Sequence, residues 1–128
     1  CASSGTVTIE SRRRMNNDGN DAWQIFRLDE LAEKVEGKAP RIYEFLRVPG
    51  LSCAVYRLPA GARDMQAPHM EDEVYFVVSG RAKLRVAGQE REVTPGNILY
   101  VRATSTHSFF DIEEDLTLIA VFGAPHSP

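Results

Sequence analysis

Cysteine is scarce: Cys1 and Cys53 are the two thiols in 128 residues. Two are too few for a disulfide framework, so the core must come from apolar packing, and a reduced, cytoplasmic setting is expected. Long apolar runs are also missing. None approaches the roughly 20 residues that cross a bilayer, and no signal-peptide core is visible, so a soluble chain without a membrane partner is expected. Positive charge is not in excess either, the formal net charge being −3. That balance lacks the electrostatic footprint of a nucleic-acid binder. The one basic run, Arg12-Arg13-Arg14, sits in a polar segment and reads as a solvated arm. Histidine is rare, with His69, His107 and His126 making up the whole supply.

What is present is the texture of one all-β domain, since this length supports a single core. Residues 1–22 are polar and rich in Ser, Asn, Asp and Gly. They read as an N-terminal arm, with Thr6–Glu10 as a potential added edge strand. Residues 23–128 read as the single folded domain. Within it, DELAEKVE over 29–36 suits one short helix, with Asp29 as N-cap and Leu31 and Val35 on one face, ended by Gly37 and Pro40. After Pro40 come short apolar runs separated by turn residues, the spacing of a sandwich or barrel. The helix should pack on the outside or rim of that β-structure. Strands are expected near 41–48, 51–58, 73–79, 82–87, 89–93, 98–102, 107–112 and 116–122. Gly80 is expected to stop the third of them. The runs 74–78 and 116–122 are apolar on both faces and need cover on each side, which points to a homodimer.

The chemistry-bearing stretch is Gly61 to Gly80. His69 and Glu73 can each offer a lone pair to a divalent ion, and Glu73 leads directly into the strand-like run Val74 to Val78. His107, the other histidine in strand-like sequence, supplies a third ligand. Two imidazoles and one carboxylate would leave open positions for water or substrate. Glu73 shares strand parity with Tyr75 and Val77, and an inward carboxylate is costly unless paired or bound to a metal. Gln66 is a further ligand candidate through its amide oxygen if the chain kinks at Pro68, although parity turns it away from His69 unless a bulge intervenes. Glu71 and Asp72 read as a polar turn. His126 lies in a Pro-rich tail.

The spacing of these residues resembles that of the cupin superfamily, whose small members are double-stranded β-helix, or jelly-roll, barrels. Gly61, His69, Glu73 and Gly80 fall on its first motif, and Gly96 and His107 on its second, over roughly residues 41–122. Ala67 stands where the first motif has its first histidine. Arg102, Thr104 and Asp111 replace Pro, Gly and Asn of the second, changes expected to alter turn geometry. The resemblance implies an all-β, single cupin jelly-roll barrel with one short N-terminal helix. The loss at Ala67 leaves a two-His, one-carboxylate set like the facial triad of non-haem iron oxygenases.

Two functions of different class are compatible with this set. In the first, the chain is a metal-dependent enzyme, dioxygenase- or isomerase-like, acting on a small polar organic substrate. Its divalent ion (Fe, Mn, Zn or Ni) is held by His69, Glu73 and His107. In the second, it is a non-catalytic small-ligand-binding or sensing module with a structural metal or none. For the enzyme, Tyr75 and Arg57 are the candidate catalytic residues, with Tyr56 as a further candidate. Arg57 alternates with Leu51, Cys53 and Val55, so it is expected to point into the barrel and bind a carboxylate or phosphate. Tyr43, Tyr56, Tyr75 and Phe109 are read as core or pocket wall, and Cys53 as a small buried hydrophobe.

Overall fold

The computed structural model describes residues 22–64 and 70–123. The polar arm up to residue 21, and with it the edge strand considered at Thr6–Glu10, lies outside the described residues. A short helix, α1 (Leu28–Glu33), is followed by six strands: β1 (Arg41–Val48), β2 (Leu51–Leu58), β3 (Glu73–Val86), β4 (Gln89–Val93), β5 (Ile98–Val101) and β6 (His107–Gly123). All strand pairings are antiparallel. The order runs β1-β2-β6-β3-β4, and β5 pairs with β3. Among the described residues the fold is an all-β antiparallel barrel with one short helix.

The helix begins one residue earlier than expected and ends sooner. Its N-cap is Arg27, which makes no side-chain cap. Asp29 therefore sits in the first turn, where its Oδ1 accepts the Glu30 backbone N–H (2.9 Å) and its negative charge suits the exposed amides. Leu31 and Val35 do face inward. They join Tyr43, Phe45 and Val55 in a core cluster on the outer face of β1 and β2, with Phe26 edge-on to Phe45 at 4.8 Å.

The main core lies on the other face, inside the barrel, and is built from Tyr56, Leu58, Tyr75, Val77, Ala82, Leu84, Val93, Phe109, Leu116 and Leu118 among others. Each valine, leucine or phenylalanine this deeply buried contributes about 1.5–3 kcal/mol by leaving water. The two-sided apolar strands are thus partly explained within one chain. One face fills the barrel, and Ile119 on the other packs under the helix cluster. On the outer face of β3 and β5, Phe76, Ile98 and Tyr100 remain exposed.

Eight expected strands become six because β3 and β6 each run through a predicted break. In β3 the buried residues are Glu73, Tyr75 and Val77, then Ala82 and Leu84, so the inward parity switches between 77 and 82. Register shifts between Val77 and Lys83 mark the same place. Gly80 does not stop the strand. It sits at this bulge with φ +100°, pressed against β6, where a Cβ would collide with the Asp115 carbonyl oxygen and lie 2.6 Å from Leu116 Cα. Extra residues in a strand bend it without ending its pairing. In β6 the switch falls between Phe109 and Ile112, and Asp111 there takes φ +48°. Thr104 likewise has φ +66°. The positions at which the second motif carries Gly and Asn thus keep a left-handed backbone with other residues in place.

Gly80→Ala should destabilise the fold by more than about 2 kcal/mol, since it combines a left-handed backbone with a steric clash against backbone atoms. Urea denaturation of the two proteins measures this directly. A midpoint equal to wild type would mean that the bulge is not tightly held.

Candidate metal centre

In an antiparallel sheet, laterally paired residues share a face. Tyr75 pairs with Ala120, and Ala120 with Ala54. Glu73 pairs with Val101 on one side and Phe122 on the other. These rows look into the barrel. His107 enters from the start of β6, where it pairs with Val86 at the far end of β3. The barrel brings the three together: Glu73 and His107 are 1% and 4% exposed, and Tyr75 is fully buried.

The contacts within this group are specific. Tyr75 Oη donates to Glu73 Oε2 at 2.6 Å. His107 Nε2 lies 3.3 Å from Glu73 Oε1 and 3.3 Å from Tyr75 Oη. His107 Nδ1 is 3.0 Å from the Ser105 carbonyl oxygen. A carbonyl oxygen only accepts, so Nδ1 carries the proton and donates to it. In the neutral ring the remaining lone pair is then on Nε2, aimed at the carboxylate. Phe109 packs edge-on against Tyr75, with ring centres 5.3 Å apart, and forms the adjoining wall.

Beside this group lies a carboxylate clasp that sequence reasoning missed. Tyr56 Oη donates to Asp64 Oδ1 at 3.0 Å, and Asp64 Oδ2 accepts the Phe109 backbone N–H at 2.9 Å. Asp64 thereby ties β2 to β6 two residues from His107. Asp72, read as part of a polar turn, works in the same way: its Oδ1 accepts the Ala103 N–H at 2.8 Å and its carbonyl accepts the Gly123 N–H at 3.0 Å. The Tyr56 phenol is pushed well above its ordinary value of 10.0 by burial, then by the neighbouring Asp64 carboxylate, with the Glu73 charge contributing last.

Arg57 is a correction. Its lateral partners are Arg41 and Thr117, and its face is that of Val55 and Cys53, under the helix side rather than inside the barrel. Its guanidinium pairs with Asp115 at 2.8 Å. Asp115 also accepts the Ala60 N–H, so this pair fixes the turn after β2. The alternation holds, but the inner face of β2 is the one carrying Ala54, Tyr56 and Leu58. Tyr43 takes the core reading and packs in the cluster under α1. Cys53 is half-buried there, and burial raises its thiol pKa. Gln66, Ala67, His69 and His126 lie outside the described residues. Among the described residues, no three His, Cys, Asp or Glu side chains form a metal-ligand group by themselves.

The family model for the cupin domain matches residues 54–122. The chain belongs to the cupin family. A curated relative in Streptomyces coelicolor, itself described as uncharacterized, is 44% identical over 104 residues, covering 81% of this chain and 99% of its own length. A double-stranded β-helix cupin from Methanocaldococcus jannaschii superposes with a TM-score of 0.65 at 18% identity, over 84% of this chain and 94% of that one. The DMSP lyase DddQ of Ruegeria pomeroyi gives a TM-score of 0.63, also at 18% identity, over 67% of this cupin. The match spans 47% of the lyase, so less than half of that protein is represented here. At such identities the two structures establish the barrel alone. Among the described residues of this cupin, no helix is long and apolar enough to cross a membrane.

The raised Tyr56 pKa has a pH consequence with a definite sign. The unfolded chain ionises this phenol near pH 10, and the folded chain only above that. Its contribution is therefore complete below pH 10 and is lost as pH rises through the folded value. Between pH 10 and 11 the slope should approach about 1.4 kcal/mol per pH unit for this one group. Urea midpoints at pH 9 and 11 for wild type and Tyr56→Phe measure it; equal pH dependence in both would remove Tyr56 as the source.

Proposed function

We propose that this cupin is a metal-dependent enzyme acting on a small polar organic substrate, with its ion held by His107 Nε2, the Glu73 carboxylate and His69. One observation carries the reading. The Ser105 carbonyl commits His107 Nδ1 to donation, so that in the neutral ring the Nε2 lone pair faces Glu73 Oε1 at 3.3 Å in a buried interior. A ring lone pair and a carboxylate oxygen this close suit a cation, and an imidazole whose other nitrogen is fixed by a carbonyl is the usual state of a metal-ligating histidine. The donor types fit a divalent transition metal and do not discriminate among iron, manganese, zinc and nickel.

A bound divalent ion would supply Lewis acidity toward a substrate oxygen, or oxygen activation if it is redox-active. The chain's own residues provide the rest. Tyr75 holds Glu73 Oε2 through its hydroxyl proton, leaving Oε1 directed at His107. That proton sits on a phenol within 3.3 Å of His107 and is the one most directly placed to move during a reaction. Phe109, edge-on to Tyr75, and Ala120, the lateral partner of Tyr75, are buried beside the group. A lyase built on a similar barrel supports an enzymatic use of this shape, without bringing its substrate to this chain.

Elemental analysis of protein purified without an affinity metal tests the reading. Wild type should carry close to one equivalent of a divalent metal. Glu73→Gln, His107→Ala and His69→Ala should each lose at least about tenfold in affinity, comparable to or beyond the loss on removing an outer-shell partner. Added metal should raise the melting temperature of wild type and leave His107→Ala unmoved. A wild type that takes up no metal even on reconstitution would mean that Glu73 and His107 share a proton instead. Retained metal with ligand-induced stabilisation but no product over a substrate panel would favour the binding module.

A further inference from the structure

A cavity of about 790 Å³ opens between β4 and β5. Its apolar floor includes Leu84, Val86 and Leu99, and Arg91 and Arg102 line it as well. Its residues are tied to the metal-centre residues: Val86 pairs laterally with His107, Leu99 with Tyr75, and Ser105 holds the His107 ring. Arg91 pairs with Leu84, so it belongs to the row of Leu84 and Phe109 that faces into the barrel, at the open end where it still meets solvent.

The charges on this hairpin are sorted by face. On the outer face, Arg81 is bonded to Glu92 and Arg85 to Glu90. Arg91 and Arg102 have no carboxylate partner among the described residues. Glu92, the one acidic side chain among the described residues that line the cavity, is already engaged by Arg81. Two guanidinium groups are thus left beside an apolar floor, with the polar side chains of Gln89 and Asn97 nearby. Guanidinium recognises carboxylates through paired, charge-assisted hydrogen bonds, and the floor would take an apolar body.

We propose that this cavity binds a small organic acid, with Arg91 and Arg102 taking its carboxylate and Leu84, Val86 and Leu99 its hydrocarbon part. This deepens the enzymatic reading by giving the substrate a negative charge, and rests on that reading only for turnover. Binding itself needs no metal.

The test uses benzoate as probe, its neutral isostere benzamide and inorganic phosphate, each titrated into EDTA-dialysed full-length protein at constant ionic strength and followed by amide chemical shifts. Benzoate should give saturable shifts centred on the 84–105 region and bind at least about tenfold more tightly than benzamide or phosphate. Arg91→Gln and Arg102→Gln should each weaken benzoate about fivefold or more while leaving the remaining spectrum, and so the fold, unchanged. Equal binding of benzoate and benzamide, equal binding of phosphate, absence of benzoate binding, or wild-type affinity in both variants would overturn the proposal. Metal content, measured separately on undialysed protein, keeps the two ideas apart. Benzoate preference in a protein that never takes up metal would sink the metal centre alone; a stoichiometric metal with no benzoate preference would sink this site alone.

Discussion

The bend in β3 is the constraint on which the site depends. Glu73 opens this strand and Val86 closes it, and His107 is the lateral partner of Val86. At about 3.3 Å per residue, a straight strand would hold Glu73 and Val86 about 40 Å apart. Yet His107 Nε2 and Glu73 Oε1 are separated by 3.3 Å. The contact exists because β3 and β6 fold over together at their bulges, so that the two halves of each strand face one another across the core. Gly80 is where this happens most tightly, since its missing side chain lets β3 approach the Asp115 and Leu116 backbone. A residue far from the chemistry thereby determines whether the site's two halves meet.

Once closed, the barrel makes its own polar interior tolerable by assigning each group a partner. The Glu73 carboxylate takes the Tyr75 hydroxyl, the His107 ring takes the Ser105 carbonyl, and the Tyr56 hydroxyl takes Asp64. A buried polar group without such a partner costs about 1–3 kcal/mol, so satisfaction also specifies geometry. Asp64 and Asp72 extend the logic to the backbone. One accepts from Phe109 and the other from Ala103, and these two amides flank the His107 segment. The histidine is positioned by carboxylates that grip the chain on either side of it.

Much of this is legible in the chain because turn residues punctuate it: Pro49-Gly50, Ala87-Gly88 and Pro95-Gly96 stand between strands that begin and end almost where expected. The errors have a common cause. A bulge leaves lateral pairing continuous while reversing parity, and nothing in Gly80 alone distinguishes a strand stop from a strand bend. Arg57 is misplaced by sequence reasoning for a related reason. Both faces of β2 are apolar, one packed under α1 and one inside the barrel, so alternation identifies two faces without saying which is inner. Glu73, Tyr75 and His107 are recognisable as chemistry because a charged or polar residue in such apolar company is costly. Ser105 is invisible, since it acts through a backbone carbonyl that every residue possesses.

The same reasoning explains why the β4–β5 edge differs from the rest of the surface. On the outer face of the β3–β4 hairpin, cation and anion alternate across the strands, and exposed pairs of this kind are worth little and screen one another. A cation placed instead on the inward parity, as Arg91 is opposite Leu84, gains nothing from that alternation. Its stem can cover apolar surface while its charge stays in water, but an uncharged side chain would cover that surface as well. Among the described residues the charge itself has no carboxylate partner, and it stands next to the row that carries His107. The proposed organic acid would give that charge a counterpart which the barrel's own described residues do not.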